Sequence, residues 1–307
     1  MTSLPPGKIA IVGSGAVGSY YGGMLAHAGY DVHFLLRADL DTVRERGLTI
    51  LTRGERVQVR VQAHGTTAEI GPCDSVLIAL KSTANNSLDE LIPPLLHEKT
   101  ALVTLQNGLG NEEYLATRWG AERVMGALCF VCLNRTAPGE ITHFDHGSIS
   151  VGEFRRPSSD RSRGLVEAFI RAGIESKAVD DLILERWRKL VWNIPFNGLS
   201  IAAQNATVAD VLANPQLRRL ARDLMTEVLA AAGSLGHEIA PEFADFQISR
   251  SDSMGPYKPS SLIDWQLGLP VEVESIWGEP LRQGLASGLS LPRLEMLYAL
   301  LQRVTAL

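Results

Sequence analysis

Three glycines near the start of the chain are separated by one and by two residues. Gly13, Gly15 and Gly18 follow the apolar run 9–12 and precede the amphipathic run 20–28. In a strand–turn–helix unit the first glycine permits a tight turn, the second lets the backbone approach a pyrophosphate, and the third allows close helix–sheet packing. The phosphates then lie at the N-terminus of the helix, where N–H groups favour negative charge. We therefore predict that a dinucleotide binds to Gly13, Ser14, Gly15, Ala16, Val17 and Gly18; the alternative is a turn that serves only the fold.

The residue after the second predicted strand, 32–36, is Arg37. An NAD site usually carries Asp or Glu at this position, because the carboxylate holds the ribose 2′-hydroxyl and repels a 2′-phosphate. A guanidinium instead suits a bidentate contact with a phosphate. Arg37 therefore favours NADPH as the cofactor, the alternative being a solvated surface arginine.

A lysine and two asparagines recur at intervals of four residues within the predicted helix 185–198. Each step of four residues turns a helix about 40° beyond a full circle, so Lys189, Asn193 and Asn197 form one polar stripe among apolar residues. Buried amides and ammonium groups need hydrogen-bond partners, and a polar substrate would supply them. Alternatively, Lys189 extends into solvent, and Asn197 with Gly198 caps a helix that is disturbed by a proline.

Two further segments carry polar residues in apolar surroundings. Ser260, Asp264 and Glu272 recur at multiples of four, where they either bind a ligand or lie on a solvated helix face. Asn107 follows directly after the predicted strand 101–105 and precedes a glycine. Because the carboxyl ends of parallel strands face the ligand crevice, Asn107 is placed to reach a cofactor or substrate, unless the segment is a plain turn.

Apolar runs of strand length alternate with helical segments over the first part of the chain. The alternation predicts a doubly wound parallel sheet, with a hairpin formed by 48–51 and 57–63 and a helix over 87–97. Later in the chain, strand runs give way to long helical periodicities. We therefore predict an α/β protein with an N-terminal Rossmann-type doubly wound parallel sheet, residues 1–179, followed by an all-α C-terminal domain, residues 180–307. A cleft between two such domains is a natural substrate site.

The 307-residue chain contains 29 Lys and Arg and 34 Asp and Glu, which gives a formal net charge of −5. The lack of a basic excess argues against nucleic acid and against an anionic membrane as partners. The first residues lack the charged and apolar regions of a signal peptide, and no apolar run is long enough to span a bilayer. We therefore expect a soluble, cytoplasmic protein that acts on a small molecule, and the apolar helical domain is compatible with a homodimer.

The three cysteines fit a reducing compartment without disulfides. Cys129 and Cys132, followed by His143 and His146, have a superficial similarity to a zinc site. The two cysteines, however, lie in an apolar run that is typical of a buried strand, where residues three apart point to opposite faces. We therefore predict core thiols and no bound metal.

Together, these segments resemble the ketopantoate reductase (2-dehydropantoate 2-reductase) family over nearly the whole chain. The glycines alone are shared with many dehydrogenases, whereas the lysine, the two asparagines and the late serine, aspartate and glutamate are much more specific. The resemblance rests on Gly13-x-Gly15-x-x-Gly18, Leu35-Leu36-Arg37, Leu80-Lys81, Gln106-Asn107-Gly108, Lys189-x3-Asn193-x3-Asn197 and Ser260-x3-Asp264-x7-Glu272.

The resemblance implies that Lys189 is the general acid, which protonates the ketone oxygen as hydride arrives from NADPH. It also implies that Glu272 binds the substrate hydroxyl and supports Lys189, and that Arg37 selects the phosphorylated nucleotide. The residues implied in substrate binding are Asn107, Asn193, Asn197, Ser260 and Asp264; those implied in cofactor binding, besides the glycine turn and Arg37, are Lys81, Asn107 and Glu272.

The implied function is the NADPH-dependent reduction of 2-dehydropantoate to pantoate, a step of pantothenate (vitamin B5) biosynthesis. The segment 82–84 departs from the aromatic residue and glutamine that family members often carry after the lysine, and this departure leaves the exact substrate open. The alternatives are a paralogous NADPH-dependent reductase of another 2-oxo acid and a non-catalytic NADP(H)-binding redox sensor. A sensor has no use for a proton donor at the nicotinamide, so Lys189 distinguishes it from both reductases.

Overall fold

The structure of the protein is a computed structural model that describes residues 7–306. The chain divides into two compact units. The first comprises the described residues up to Gln106 together with Asn111–Leu182, and the second comprises Asn107–Gly110 together with the described residues from Ile183 onward. Each unit has its own apolar core.

The first unit is built on a ten-stranded sheet. Its central strand, β1, forms because its four residues are apolar and fully buried, as expected of a strand covered on both faces. The strands are β1 (Ile9–Val12), β2 (Val32–Leu35), β3 (Leu48–Thr52), β4 (Glu55–Val59), β5 (Gln62–His64), β6 (Ser75–Ile78), β7 (Ala101–Thr104), β8 (Val124–Ala137), β9 (Glu140–Glu153) and β10 (Ser176–Val179).

Six of these strands run parallel in the order β5-β2-β1-β6-β7-β8. This is the order of a doubly wound dinucleotide-binding fold, which reverses direction between β1 and β6. Beyond β8, β9 pairs antiparallel, β3 and β10 pair in parallel with β9, and β4 forms the edge antiparallel to β3. The predicted Rossmann-type sheet is confirmed. The four strands β9, β3, β4 and β10 extend it beyond β8.

The second unit has helices and no strand within residues 7–306, which confirms the predicted all-α C-terminal part. A π-helical segment, Glu274–Gly278, precedes the helix Glu279–Ala286. In the described part of the chain, no helix has the length and apolar character that crossing a membrane requires.

The α-helices of both units are α1 (Ala16–His27), α2 (Leu40–Arg46), α3 (Thr67–Ile70), α4 (Leu88–Leu91), α5 (Asn111–Trp119), α6 (Asp160–Arg171), α7 (Leu182–Ala202), α8 (Val208–Ala213), α9 (Pro215–Ser234), α10 (Glu242–Ser251), α11 (Ser260–Gln266), α12 (Glu279–Ala286) and α13 (Pro292–Val304).

The hairpin is present, but its predicted second strand, 57–63, is two strands. β4 ends at Val59, and β5 begins at Gln62, where it pairs in parallel with β2. β4 and β5 lie at opposite ends of the strand order. The chain therefore changes edges within a few residues, and a continuous pattern of β-forming residues does not reveal such a change of partner.

The predicted helix 87–97 is reduced to the single turn of α4 between two 3₁₀ segments, Ser82–Ser87 and Pro93–Leu95. The reason lies in the consecutive prolines at 93 and 94. Neither has an N–H to donate to the preceding turn, and the proline ring disfavours helical backbone at the residue before it.

The segment Asn107–Gly110 belongs to the second unit, although the residues on both sides of it belong to the first. The Leu109 N–H donates to the Ser275 carbonyl at 2.9 Å. That carbonyl lies in the π-helical segment, where an N–H bonds to the carbonyl five residues back. The donor in this pattern would be Pro280, which has no N–H and cannot donate to the Ser275 carbonyl. Apart from this segment the units divide between Leu182 and Ile183, and the domain boundary after residue 179 stays a prediction.

Gly108 and Gly110 are a matched pair of positions at which the contact between the segment 107–110 and Ser275 can be tested. Both have left-handed backbone, with φ of +83° and +88°. A Cβ at Gly108 would lie 2.1 Å from the Ser275 oxygen, whereas a Cβ at Gly110 would meet only the Glu279 side chain, at 3.5 Å.

We expect Gly110→Ala to lower the free energy of unfolding by about 1–2 kcal/mol, through backbone strain alone. Gly108→Ala adds a clash with backbone, so we expect a loss of about 2–4 kcal/mol. Urea denaturation of the two variants measures the difference. Equal losses would show that the contact with Ser275 does not hold the segment.

Candidate active site

Two glycines in the turn between β1 and α1 are required by the packing of the chain itself. Gly13 has φ of +105°, and a Cβ there would lie 2.2 Å from the backbone nitrogen of Leu80. A Cβ at Gly18 would lie 2.2 Å from the Gly13 carbonyl oxygen and 3.0 Å from Ile11 Cγ2. Neither position accepts a side chain, as a tight turn and close helix–sheet packing require.

Gly15 differs from both, because nothing in the described chain requires a glycine there. Its φ of −76° is open to any residue, and a Cβ would meet no atom within 4 Å. α1 begins at the next residue, Ala16, without a side-chain cap. Its first-turn N–H groups, those of Ala16 and Val17 among them, can therefore donate to an anion. The space at Gly15 fits a dinucleotide phosphate.

The glycine turn is tied to the end of β2, where Ser14 Oγ donates to the Leu35 carbonyl at 2.7 Å. Arg37 follows two residues later and is exposed. The next acidic residue, Asp39, is 7% exposed, and its carboxylate accepts from Arg135 and from a backbone N–H. The exposed charged side chain at the end of β2 is therefore that of Arg37, and the nearby Asp39 carboxylate is hydrogen-bonded within the chain.

Asn85 joins the two residues that flank the segment 107–110. Its Oδ1 accepts from Gln106 Nε2 at 2.7 Å, and its Nδ2 donates to Asn111 Oδ1 at 3.1 Å. Neither Asn85 nor Gln106 was predicted as a site residue. The sequence signal for Asn85 is its position in the segment that follows β6 and begins with the exposed Lys81. β6 pairs with β7, the strand that precedes Gln106. Asn85 therefore holds Gln106 and Asn111 together by hydrogen bonds within the first unit.

Lys189 and Asn107 lie together in the second unit. Lys189, half-buried on α7, donates from Nζ to Asn107 Oδ1 at 2.8 Å. Asn193 and Asn197, about one and two turns further along α7, are 7% and 2% exposed. The predicted stripe therefore runs from a half-buried ammonium group to two buried amides, and the segment 107–110 supplies an oxygen that orients the ammonium group.

The alternative of a helix cap at Gly198 is wrong, because α7 continues through Pro195 and beyond Gly198. A Cβ at Gly198 would lie 2.7 Å from Leu297 Cδ2 and 3.0 Å from Trp277 Nε1. The indole N–H of Trp277 donates to the Ile194 carbonyl at 2.9 Å. Gly198 therefore lets the indole pack against α7 next to the polar stripe.

Asn197 also links α7 to α11. Its Oδ1 accepts from the Ser261 N–H at 2.9 Å, in the first turn of α11. Ser260 begins this helix and is exposed, and Asp264, one turn later, is half-buried. The contact brings the start of the serine–aspartate segment to Asn197, and it uses the amide oxygen, so the Nδ2 group is the remaining donor for a ligand.

Two glutamates at the start of the π-helical segment have different environments. Glu272 is 4% exposed, whereas Glu274 is exposed and accepts from Tyr298 at 2.6 Å and Arg282 at 2.8 Å. Burial acts to raise the pKa of Glu274, but these hydrogen bonds outweigh it and lower the pKa below its ordinary value. Glu274 therefore acts in a surface network, and Glu272 is the buried carboxylate of this region.

His143, one of the four residues with a superficial similarity to a zinc site, makes hydrogen-bond contacts within the chain through both ring nitrogens. His143 Nδ1 lies 2.7 Å from Thr52 Oγ1, and its Nε2 lies 3.1 Å from two backbone carbonyl oxygens. Within residues 7–306, no group of three or more His, Cys, Asp or Glu side chains is arranged to hold a metal ion.

Two family models match the chain. Residues 9–156 match the model described as ketopantoate reductase PanE/ApbA, and residues 181–305 match that of its C-terminal domain. A 2-dehydropantoate 2-reductase from Nostoc sp. is 40% identical over 297 residues, which cover 95% of this chain and 93% of the relative.

Solved structures agree with the family models. A crystal structure of 2-dehydropantoate 2-reductase from Geobacter metallireducens has a TM-score of 0.94 and 45% identity, covering 96% of this chain and 99% of that one. The structure of D-mandelate dehydrogenase with NADH and anilino(oxo)acetate has a TM-score of 0.89, with coverage of 97% and 98%; at 22% identity this likeness shows the fold alone. On the family models and the relative from Nostoc, the chain belongs to the ketopantoate reductase family.

Proposed function

We propose that the protein is an NADPH-dependent reductase that converts 2-dehydropantoate to pantoate in pantothenate biosynthesis. The observation that carries the proposal is the hydrogen bond from Lys189 Nζ to Asn107 Oδ1, at 2.8 Å, on the helix that also bears Asn193 and Asn197. Membership of the ketopantoate reductase family supports the substrate. A cytoplasmic location is part of the same proposal.

The cofactor assignment rests on the glycine turn and the end of β2. The first-turn N–H groups of α1 and the space at Gly15 suit the pyrophosphate. Arg37 suits the 2′-phosphate, and the engagement of Asp39 by Arg135 removes a carboxylate that would repel it. Lys81 is assigned to the cofactor as a second cation. When held by these residues, NADPH would supply the hydride for reduction of the substrate's C2 carbonyl.

The proton is assigned to Lys189. As the carbonyl carbon gains the hydride, its oxygen becomes basic, and Nζ donates a proton to give the hydroxyl of pantoate. The Asn107 oxygen accepts from a second N–H of the ammonium group and fixes its direction. The buried Glu272 supports the ammonium charge and accepts from the substrate hydroxyl.

The substrate is held by donors that match a 2-oxo acid. We assign Asn193, the Nδ2 group of Asn197 and the Ser260 hydroxyl to its carboxylate and hydroxyl oxygens, and Asp264 to positioning within this group. The buried amides of Asn193 and Asn197 lie on a helix that also contributes to an apolar core. A compound without hydrogen-bonding groups would therefore leave amide donors without a ligand partner.

The proposed reaction is tested by following NADPH absorbance as the purified protein meets 2-dehydropantoate, a panel of other 2-oxo acids and, separately, NADH. We expect NADPH-preferring turnover with 2-dehydropantoate. Turnover with another acid only would assign the chain to a paralogous reductase. Tight NADPH binding without turnover on any acid would replace the reductase by a redox sensor.

Cofactor selection is tested at Arg37. We expect Arg37→Asp to raise the Kd for NADPH by about 100-fold, because a charge-assisted contact becomes a repulsive one, and to change the Kd for NADH by less than about threefold, because NADH has no 2′-phosphate. Fluorescence titration with each nucleotide measures both constants.

Arg171→Asp makes the same change of charge on an exposed residue at the last turn of α6 and is the matched control. It should leave the NADPH preference intact. Equal losses of NADPH and NADH affinity in Arg37→Asp would refute the phosphate contact.

A further inference from the structure

The π-helical segment contacts two parts of the candidate active site. The Ser275 carbonyl accepts from the Leu109 N–H at 2.9 Å, within the segment that bears Asn107. The Trp277 indole N–H donates to the Ile194 carbonyl at 2.9 Å, on the helix that carries the polar stripe. A displacement of the π-helical segment therefore disturbs the backbone of both parts.

The buried carboxylate of Glu272 belongs to the same piece of chain. The Glu272 carbonyl accepts from the Ile276 N–H at 3.2 Å and from Ser275 Oγ at 3.4 Å. These hydrogen bonds join the backbone at Glu272 to the π-helical segment. The position of the Glu272 side chain therefore depends on the same segment as the segment 107–110 does.

Glu274 ties the exposed side of the π-helical segment to two other helices. Its carboxylate accepts from the Tyr298 hydroxyl of α13 at 2.6 Å and from Arg282 Nη1 of α12 at 2.8 Å. Gln302 donates to the Tyr298 oxygen at 2.8 Å, and Arg282 Nε donates to Glu279 at 3.0 Å. An isolated exposed ion pair contributes little to stability, but a charge that joins several elements in a network restrains them together.

The side chains of Glu274, Arg282 and Tyr298, here called the Glu274 network, lie directly on the backbone at Gly278. The φ of Gly278 is −64°, so no left-handed backbone requires glycine there. A Cβ at Gly278 would lie 2.8 Å from the Glu274 carboxylate, 3.1 Å from the Arg282 guanidinium group and 3.0 Å from the Tyr298 ring. The missing side chain at 278 therefore leaves the room that the network occupies.

We propose that Glu274 is a positioning residue for the proposed reduction. By joining the π-helical segment to α12 and α13, it fixes the Ser275 carbonyl, which holds the segment 107–110 in place. Asn107 then keeps the direction of the Lys189 ammonium group. The effect on turnover rests on the proposed function, whereas the link between Glu274 and the segment 107–110 rests on the hydrogen bonds alone.

Amide exchange at Leu109 tests this link without an activity assay. Hydrogen–deuterium exchange, followed by NMR on the full chain, reports the opening of the bond to Ser275. We expect Glu274→Ala to speed this exchange by about tenfold, because the π-helical segment loses its ties to α12 and α13.

Asp245→Ala is the matched control for Glu274→Ala. Asp245 pairs with Arg222 in the same unit, and its side chain is 57% exposed, against 60% for Glu274. Its loss should leave the exchange at Leu109 unchanged. Equal acceleration by both variants, or none by Glu274→Ala, would overturn the proposal.

Gly278→Ala separates the network from general helix stability. Alanine favours helical backbone more than glycine does, so an effect on helix stability alone would slow the exchange at Leu109. The added Cβ displaces the Glu274 carboxylate, so we expect the exchange to become about threefold faster or more. Slower or unchanged exchange would contradict the role of the network.

Turnover shows whether the link matters for the reaction. We expect Glu274→Ala to lower kcat for 2-dehydropantoate by about tenfold and to change the KM for NADPH by less than about twofold, because the network is not assigned to the cofactor. Tyr298→Phe keeps the ring and removes one donor, so kcat should fall by a smaller factor. Asp245→Ala should leave both constants unchanged.

The two measurements separate the possible failures. Faster exchange at Leu109 in Glu274→Ala with an unchanged kcat would overturn the positioning role. A wild-type chain that reduces no 2-oxo acid would refute the proposed function instead, and the exchange rates would still decide whether Glu274 holds the segment 107–110.

Discussion

The Leu109 N–H donates to the Ser275 carbonyl, and in the π-helical pattern Pro280, five residues beyond Ser275, has no N–H to donate there. The resulting hydrogen bond anchors a four-residue segment, 107–110, whose neighbours on both sides belong to the other unit. Gly108 is required at the point of closest approach. The anchor matters because Asn107 is its neighbour: an amide on a mobile turn could not orient the Lys189 ammonium group, whereas an amide next to a fixed backbone can. Within the first unit, Asn85 links Gln106 and Asn111, the residues that precede and follow this segment.

The glycine turn shows how structural and ligand requirements can be separated. Gly13 and Gly18 meet backbone atoms that a Cβ would strike, so the fold alone explains them. Gly15 has an ordinary backbone conformation and open space around its missing side chain. A requirement for glycine there has to come from something outside the chain, and a pyrophosphate at the start of α1 supplies it.

Much of the fold and of the candidate site could be predicted from the sequence, because the sequence patterns that indicate them are local. The strand–turn–helix pattern at 9–18 and the spacing of Lys189, Asn193 and Asn197 each depend on one element, and the Rossmann-type sheet and helical C-terminal part follow from runs of such elements. The contacts between different helices and strands could not be predicted from the sequence. Nothing local indicates that Asn197 accepts from Ser261, that Gly198 admits Trp277, or that a strand at 57–63 changes edges after Val59. The π-helical segment and the hydrogen bond from the Leu109 N–H to its Ser275 carbonyl were not predicted either, since that contact joins residues far apart in the sequence.

In the proposed reaction, Lys189 donates the proton and is oriented by its hydrogen bond to Asn107. A double-mutant cycle on kcat/KM for 2-dehydropantoate, with Lys189→Ala, Asn107→Ala and the double variant, measures that coupling directly. Arg188→Ala, which removes a neighbouring cation that is paired with Glu185, serves as the control. We expect Lys189→Ala to cost about 100- to 10,000-fold in the wild-type background and much less once Asn107 is absent. Equal losses in both backgrounds would show that Asn107 does not orient Lys189, and near-normal turnover without Lys189 would show that Lys189 is not the proton donor.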